Sequence, residues 1–128
     1  MGHVVPESWT ISEAAQRVGL DPDTVRYYER RGVLPTPQRD SSGRRVYSAS
    51  DVHLIEVLLH LRGTGMPLAA IAEFTRWVAS DPGGVAERLE LLRQHRNHVQ
   101  DRITEWKASL EVIDGKIEDY TRRLADGE

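Results

Sequence analysis

Thr24-Val25-Arg26-Tyr27-Tyr28-Glu29-Arg30-Arg31-Gly32-Val33-Leu34-Pro35 is the stretch on which the fold turns, and Gly43-Arg44-Arg45-Val46-Tyr47 completes it. The first run places paired tyrosines and arginines on one short helix that Gly32 closes. The second adds two arginines and a tyrosine just beyond a glycine turn. Arginine forks suit phosphate oxygens and guanine edges, and tyrosine carries a hydroxyl on a flat apolar body, so the combination reads as a DNA-reading surface. Residues 24–47 hold six arginines against two acids, Glu29 and Asp40, a local charge of +4 in a chain whose net charge is −3. The mean hides a basic patch, and the patch is what would meet a phosphate backbone.

Working outward, the flanks supply the frame for that surface. Upstream, Thr10-Ile11-Ser12-Glu13 predicts a capping box, and Ile11, Ala14, Ala15 and Val18 share one helical face. Gly19 ends that helix, and Asp21-Pro22 opens the next as N-cap and first-turn proline. Two short helices joined by a few residues containing glycine make a helix-turn-helix. Downstream, two prolines, the turn Asp40-Ser41-Ser42-Gly43 and the strand-forming Arg45-Val46-Tyr47 predict a β-hairpin wing. Ser48 and Ser50 are candidate caps for a third helix over residues 51–62, with Val52, Ile55, Leu58, Leu59 and Leu61 as its apolar face. Gly63-Thr64-Gly65-Met66-Pro67 breaks it, and Pro67 starts a fourth helix with Leu68, Ile71, Ala72, Thr75 and Val78 inward.

Asp81-Pro82-Gly83-Gly84 reads as a linker. Beyond it Val85, Leu89, Leu92, Arg96, Val99, Ile103, Trp106, Leu110, Ile113, Ile117, Tyr120 and Leu124 alternate spacings of four and three without a slip, and eleven of the twelve are apolar. Such a repeat keeps side chains on one line as helices supercoil, which predicts a coiled-coil seam. A helix of about 40 residues extends roughly 60 Å, too far to fold its stripe back onto an 80-residue head, so the seam calls for a second copy. Leu89, Leu92, Val99, Ile103, Trp106, Leu110, Ile113, Ile117, Tyr120 and Leu124 are the expected dimer interface. Arg96 is either a paired charge that fixes register or a snorkelling side chain. The expected architecture is therefore mainly α: a winged helix-turn-helix head of four helices and a small β wing over 8–80, a linker at 81–84, and a coiled-coil dimerisation helix over 85–124.

Composition narrows the function classes. The 128 residues include no cysteine, which excludes disulfides, thiolate metal sites and thiol redox sensing. No secretory signal or membrane-length apolar run is visible, so a cytoplasmic protein is expected. His95, His98 and Asp101 fall at successive three-residue steps, and His53 and His60 share a face, but no fourth ligand pattern accompanies them. No metal or cofactor is expected. The chain has no Gly-rich phosphate loop with lysine and no metal-site spacing, and helix caps and faces explain its acids, so an enzyme is not expected.

The ordered set of Thr10-Ile11-Ser12-Glu13, Arg26-Tyr27-Tyr28-Glu29, Gly32-Val33-Leu34-Pro35, Arg45-Val46-Tyr47-Ser48, Asp51 and Gly65-Met66-Pro67-Leu68 resembles the MerR family of transcriptional regulators. The tail, from Leu89-Glu90-Leu91-Leu92 through Lys116-Ile117-Glu118-Asp119-Tyr120, resembles its small members that sense aldehyde or nitrosative stress. Those carry a cysteine in the third helix where His60 stands here, so that thiol chemistry does not carry over. The resemblance implies a homodimer with winged heads at either end of an antiparallel coiled coil. It also implies a palindromic promoter operator, RNA polymerase as a partner at the promoter, and activation by bending and untwisting an over-long spacer in response to a stress or small-molecule signal. Relatives with drug-binding domains continue well past the coil, so no dedicated effector domain is expected here.

Residue types and resemblance together assign DNA contact to Thr10, Asp23, Thr24, Arg26, Tyr27, Tyr28, Arg30, Arg39, Arg44, Arg45, Tyr47 and Arg62. Competing structural roles stand beside some of these. Tyr28 can pack into the core, Arg44 and Arg45 can be a solvated hairpin end, and Arg62 can complement a helix C-terminus. An architectural or recombination-associated winged-helix protein is the alternative function, and a coiled-coil interaction protein without DNA binding is a third.

Overall fold

A computed structural model describes residues 8–128, which fall into two compact units dividing after Leu91. In the first unit, β1 (Ser8–Trp9) leads into α1 (Ile11–Val18) and α2 (Pro22–Arg30); β2 (Gln38–Arg39) and β3 (Arg45–Ser48) form the wing; and α3 (Ala49–Gly63) and α4 (Leu68–Ala79) follow. The helix α5 (Val85–Ala125) begins in this unit and supplies nearly all of the second. None of the described helices is long and apolar enough to cross a membrane.

Local chemistry explains most of the boundaries. The Thr10 hydroxyl accepts from the Glu13 amide at 3.2 Å while the Glu13 carboxylate accepts from the Thr10 amide at 2.9 Å, the predicted capping box. Ser48 and Asp51 repeat it at the start of α3, at 3.1 and 2.8 Å. Asp21 departs from expectation: it holds the N-cap position of α2 but makes no side-chain cap, accepting instead from the Thr24 hydroxyl at 3.5 Å. Gly32 takes φ +71°, a left-handed turn that lets the Val33 amide reach back to the Tyr28 carbonyl at 2.9 Å. That reversal drives Val33 and Leu34 into the core, where both are buried.

The sheet has three strands, in the order β1-β3-β2 and antiparallel throughout. The hairpin β2–β3 was expected; β1 was not, and it pairs Trp9 with Tyr47 and Ser8 with Ser48. Ala14 and Ala15 are fully buried, small enough to let α1 lie close to its neighbours α2 and α3. Around them sit Val25, Val33, Leu34, Tyr47, Val52, Ile55, Leu58, Leu61, Met66, Ile71 and Phe74. On α4 the buried face is Ile71, Phe74 and Thr75, while Leu68, Ala72 and Val78 are only half-buried. The buried Thr75 hydroxyl donates to the Val33 carbonyl at 2.6 Å, pinning α4 to the turn after α2.

The segment at 81–84 is a tight turn. A Cβ on Gly84 would stand 2.8 Å from both the Cβ and the carbonyl oxygen of Trp77, and the Arg88 guanidinium reaches back to Asp81 at 2.6 Å. In the second unit no residue of α5 is buried. Nine of the ten large apolar side chains exposed on α5 belong to the predicted seam, with Val112 the exception, so the helix presents one continuous apolar stripe.

Candidate nucleic-acid interface

The sequence places its arginines within reach of one another, and the fold brings some of them to one cleft. A concavity of about 410 Å³ is lined by Ser8, Trp9, Thr10, Ile11 and Glu13 from the start of the head, by Arg26 from α2, and by Arg39, Asp40, Gly43, Arg44, Arg45 and Val46 from the wing. Four of the predicted arginines and Thr10 therefore converge there. Tyr27, Tyr28, Arg30, Asp23, Thr24, Tyr47 and Arg62 do not line it.

On α2, Arg26 pairs with Asp23 at 2.9 Å, one turn away. Tyr27 is 43% exposed. Its hydroxyl accepts from Arg31 at 3.1 Å, and the Arg31 guanidinium lies 5.6 Å from the ring centre. Tyr28 is half-buried with its ring 5.8 Å from that of Tyr27, the partly packed position its spacing from Val25 predicts. Arg30 is exposed and its side chain pairs with none of the described residues.

In the wing, the Asp40 carboxylate accepts from the amides of Ser42 and Arg44, each at 2.9 Å, and Arg39 donates to the Gly43 carbonyl at 2.7 Å. These bonds fix the hairpin tip, whose backbone polar groups would otherwise depend on water. The Arg44 side chain extends from that tip without a partner among the described residues. Arg62, exposed near the end of α3, likewise makes no side-chain bond to them.

Two predicted contacts are placed otherwise than expected. Arg45 donates through Nε and Nη2 to the two carboxylate oxygens of Glu29, at 2.9 and 3.3 Å. Its side chain is 22% exposed and that of Glu29 10%. This hydrogen-bonded carboxylate holds the guanidinium charged, above even its usual range, against the opposing effect of burial. Arg45 is thus a brace between β3 and α2 rather than a free cation. Tyr47 lies in the core, 2% exposed, and its hydroxyl has no hydrogen-bond partner among the described residues. Burial, reinforced by the Glu29 charge, pushes that hydroxyl up to about 12. A side chain so enclosed is not on the reading surface; its ring serves packing.

Sequence reasoning missed Trp9 and Arg17, which stack with the guanidinium 4.6 Å from the indole at the rim of the head. It also gave Glu29 no partner. On α5 the rings of His95 and His98 lie 6.0 Å apart, and desolvation, with the neighbouring imidazole second, holds His95 below its ordinary range.

Comparison with known proteins places the head in a family. Residues 9–76 match the family profile of MerR HTH family regulatory proteins. An uncharacterized HTH-type transcriptional regulator of Haemophilus influenzae is 30% identical over 94% of this chain and 89% of its own length. The HTH-type regulator YyaN of Bacillus subtilis is 32% identical over 88% of this chain and 90% of its own. Among solved structures, HiNmlR, described as a MerR family regulator lacking the sensor domain and bound to promoter DNA, superposes with a TM-score of 0.83 at 30% identity, covering 95% of this chain and 97% of that one.

Proposed function

From the premise that the chain belongs to the MerR family of helix-turn-helix regulatory proteins, we propose that it regulates transcription as a cytoplasmic homodimer on a palindromic promoter operator. The coarser part is a property of the family: it is a DNA-binding transcriptional regulator. The finer part is the mode of action. Two heads held apart by paired α5 helices fix the distance and phase of the half-sites they read, so the duplex must adapt to the protein. The dimer then bends and untwists the promoter spacer, presenting the promoter elements to RNA polymerase in response to a stress or small-molecule signal.

The observation that carries DNA contact is the convergence of Arg26, Arg39 and Arg44 on one cleft, flanked on α2 by the exposed Tyr27 and Arg30. The relative solved on promoter DNA, alike over nearly its full length, supports the same partner here. Phosphate contacts by Arg30, Arg44 and Arg62 account for non-specific affinity, and Arg26 with Tyr27 are the nearest candidates for base edges.

The test is operator titration by gel shift over a range of salt. Arg26→Ala and Arg44→Ala should each weaken binding by about 1–3 kcal/mol, with Arg44→Ala also lowering the log-log salt slope by about one. Unchanged affinity in both would remove the cleft as the interface. Chemical probing of the bound operator should show hyper-reactive base pairs at its centre. A straight, unperturbed centre would leave a dimeric DNA binder acting without spacer distortion.

A further inference from the structure

We propose that Asp23 is a specificity-determining residue that acts jointly with Arg26, the two side chains together recognising one G·C pair in each half-site. Arg26 takes the guanine edge and Asp23 the cytosine amino group. This rests on the reading of α2 as a helix that meets DNA, and adds what it selects there.

Asp23, Arg26, Tyr27 and Arg30 fall at i, i+3, i+4 and i+7, on the face of α2 turned away from the buried Val25. Asp23 and Arg26 belong to its first two turns, the part of a recognition helix that reaches base edges. Four acids lie within residues 21–47, and three of them hold the fold: Glu29 braces Arg45, Asp40 accepts from the hairpin amides, and Asp21 accepts from the Thr24 hydroxyl. Asp23 differs. Its side chain is 96% exposed, and its partner among the described residues is the Arg26 guanidinium at 2.9 Å. A carboxylate presented in this way is repelled by every phosphate, so it lowers affinity for duplex of any sequence. It becomes favourable only against a hydrogen-bond donor, and in the major groove the donors are the amino groups of cytosine and adenine.

The pair with Arg26 selects cytosine. Nη2 and Nη1 of Arg26 and the Asp23 carboxylate present donor, donor and acceptor in that order. The major-groove edge of a G·C pair presents acceptor, acceptor and donor, in guanine N7, guanine O6 and cytosine N4. O6 and N4 are hydrogen-bonded to each other and so stand about 2.9 Å apart, which matches the 2.9 Å between Arg26 Nη1 and Asp23 Oδ1. Both bases can therefore be met with the side-chain pair intact. Each of the other three base-pair orientations sets a donor against the guanidinium and an acceptor against the carboxylate. Arg26 shares its cleft with Arg39 and Arg44, so the discriminating carboxylate stands beside cations that attract any phosphate.

Selection of bound duplexes from a randomised pool by the full chain, followed by gel-shift titration of the selected half-site, tests this. In the wild type, replacing the selected G·C pair should weaken binding roughly 10- to 100-fold. Asp23→Ala and Asp23→Asn should each narrow that penalty severalfold, the remainder being the share of Arg26. Both should tighten binding to a duplex of unrelated sequence roughly two- to fivefold at low salt, because a charge facing phosphates is gone. N4-methylcytosine in the selected pair puts a methyl group in place of the amino hydrogen that faces the groove. It should weaken the wild type roughly tenfold and Asp23→Ala by less than about twofold. A carboxylate that only stabilised the start of α2 through the helix dipole would produce no such difference. Equal sensitivity to the methyl group in both proteins, or a selected half-site with no position that responds to Asp23, overturns the joint recognition while leaving DNA binding intact. Enrichment of no sequence by the wild type overturns the sequence-specific reading of α2 itself.

Discussion

Replacing Tyr47 by Phe separates the two roles that sequence and structure give this residue. The ring is enclosed on β3 opposite Trp9, and its hydroxyl lacks a partner among the described residues. A hydroxyl removed from water without compensation costs about 1–3 kcal/mol. Phe keeps the ring and removes that cost, so Tyr47→Phe should stabilise the protein at neutral pH by on the order of 1 kcal/mol. The second signature is alkaline. The folded hydroxyl holds its proton up to about 12, whereas an unfolded tyrosine ionises near about 10. Below the lower value both states are protonated and stability is unaffected by this group. Between the two values the unfolded chain releases its proton first, so wild-type stability falls as pH rises, by about 2 kcal/mol across the window. Phe abolishes that component. Denaturant titrations at fixed protein concentration, at neutral pH and through the alkaline range, measure both effects, with an unchanged m-value as the control. Operator affinity should stay within about twofold of wild type, because a core side chain offers DNA nothing. About tenfold weaker operator binding at unchanged stability would mean that the hydroxyl reaches DNA, and the burial argument would be wrong.

Two further substitutions probe the frame of the head. Glu29→Ala leaves the Arg45 guanidinium half-enclosed without its carboxylate. Breaking a fully buried pair costs about 3–5 kcal/mol; Arg45 can swing toward water, so about 1–2 kcal/mol is expected, with faster amide exchange through residues 38–48. Unchanged exchange in the wing would show that the brace does not hold it. Gly84→Ala sets a methyl 2.8 Å from the Trp77 carbonyl at a φ of +80°. It should destabilise by about 2 kcal/mol or more in the same titrations, and a variant as stable as wild type would show that the turn relaxes freely.

What the sequence disclosed depended on how local the determining interaction was. The Thr10 and Ser48 caps, the Gly32 turn and the heptad stripe rest on residues within a turn or two of each other, and all were legible as spacings. The β1 strand is two residues long and carries no period to read. The Arg45–Glu29 pair joins residues sixteen apart through a turn whose path the sequence does not specify. Tyr47 had a usable signal that went unread. It directly precedes the Ser48 cap, where an apolar residue commonly packs toward the fourth helical position, here the buried Val52. Its neighbours Arg44 and Arg45 made the run look like a surface, although alternation along a strand sends successive side chains to opposite faces. Phe74 was likewise within the period of α4, adjacent to the buried Thr75.

The arginines of the head divide by what they touch, and the division bears on how such a surface can be specific. Arg31, Arg39 and Arg45 are bonded to Tyr27, the Gly43 carbonyl and Glu29, so their forks hold side chains and backbone in place. Arg30, Arg44 and Arg62 extend without partners among the described residues, free to neutralise phosphates at the cost of little more than side-chain entropy. Arg26 stands between: Asp23 orients it, but that carboxylate is almost wholly exposed, so water competes for the pair and DNA can displace it cheaply. In the proposed role, free cations supply attraction that is the same for any sequence. Discrimination depends on how rigidly α2 and the wing are held with respect to each other, because a bidentate base contact fails when its donor is displaced by about an ångström. The Glu29–Arg45 brace is a charged link between those two elements, and it joins the helix that would read bases to the strand that carries the wing. A charge that never meets DNA can therefore contribute to sequence discrimination as much as one that does.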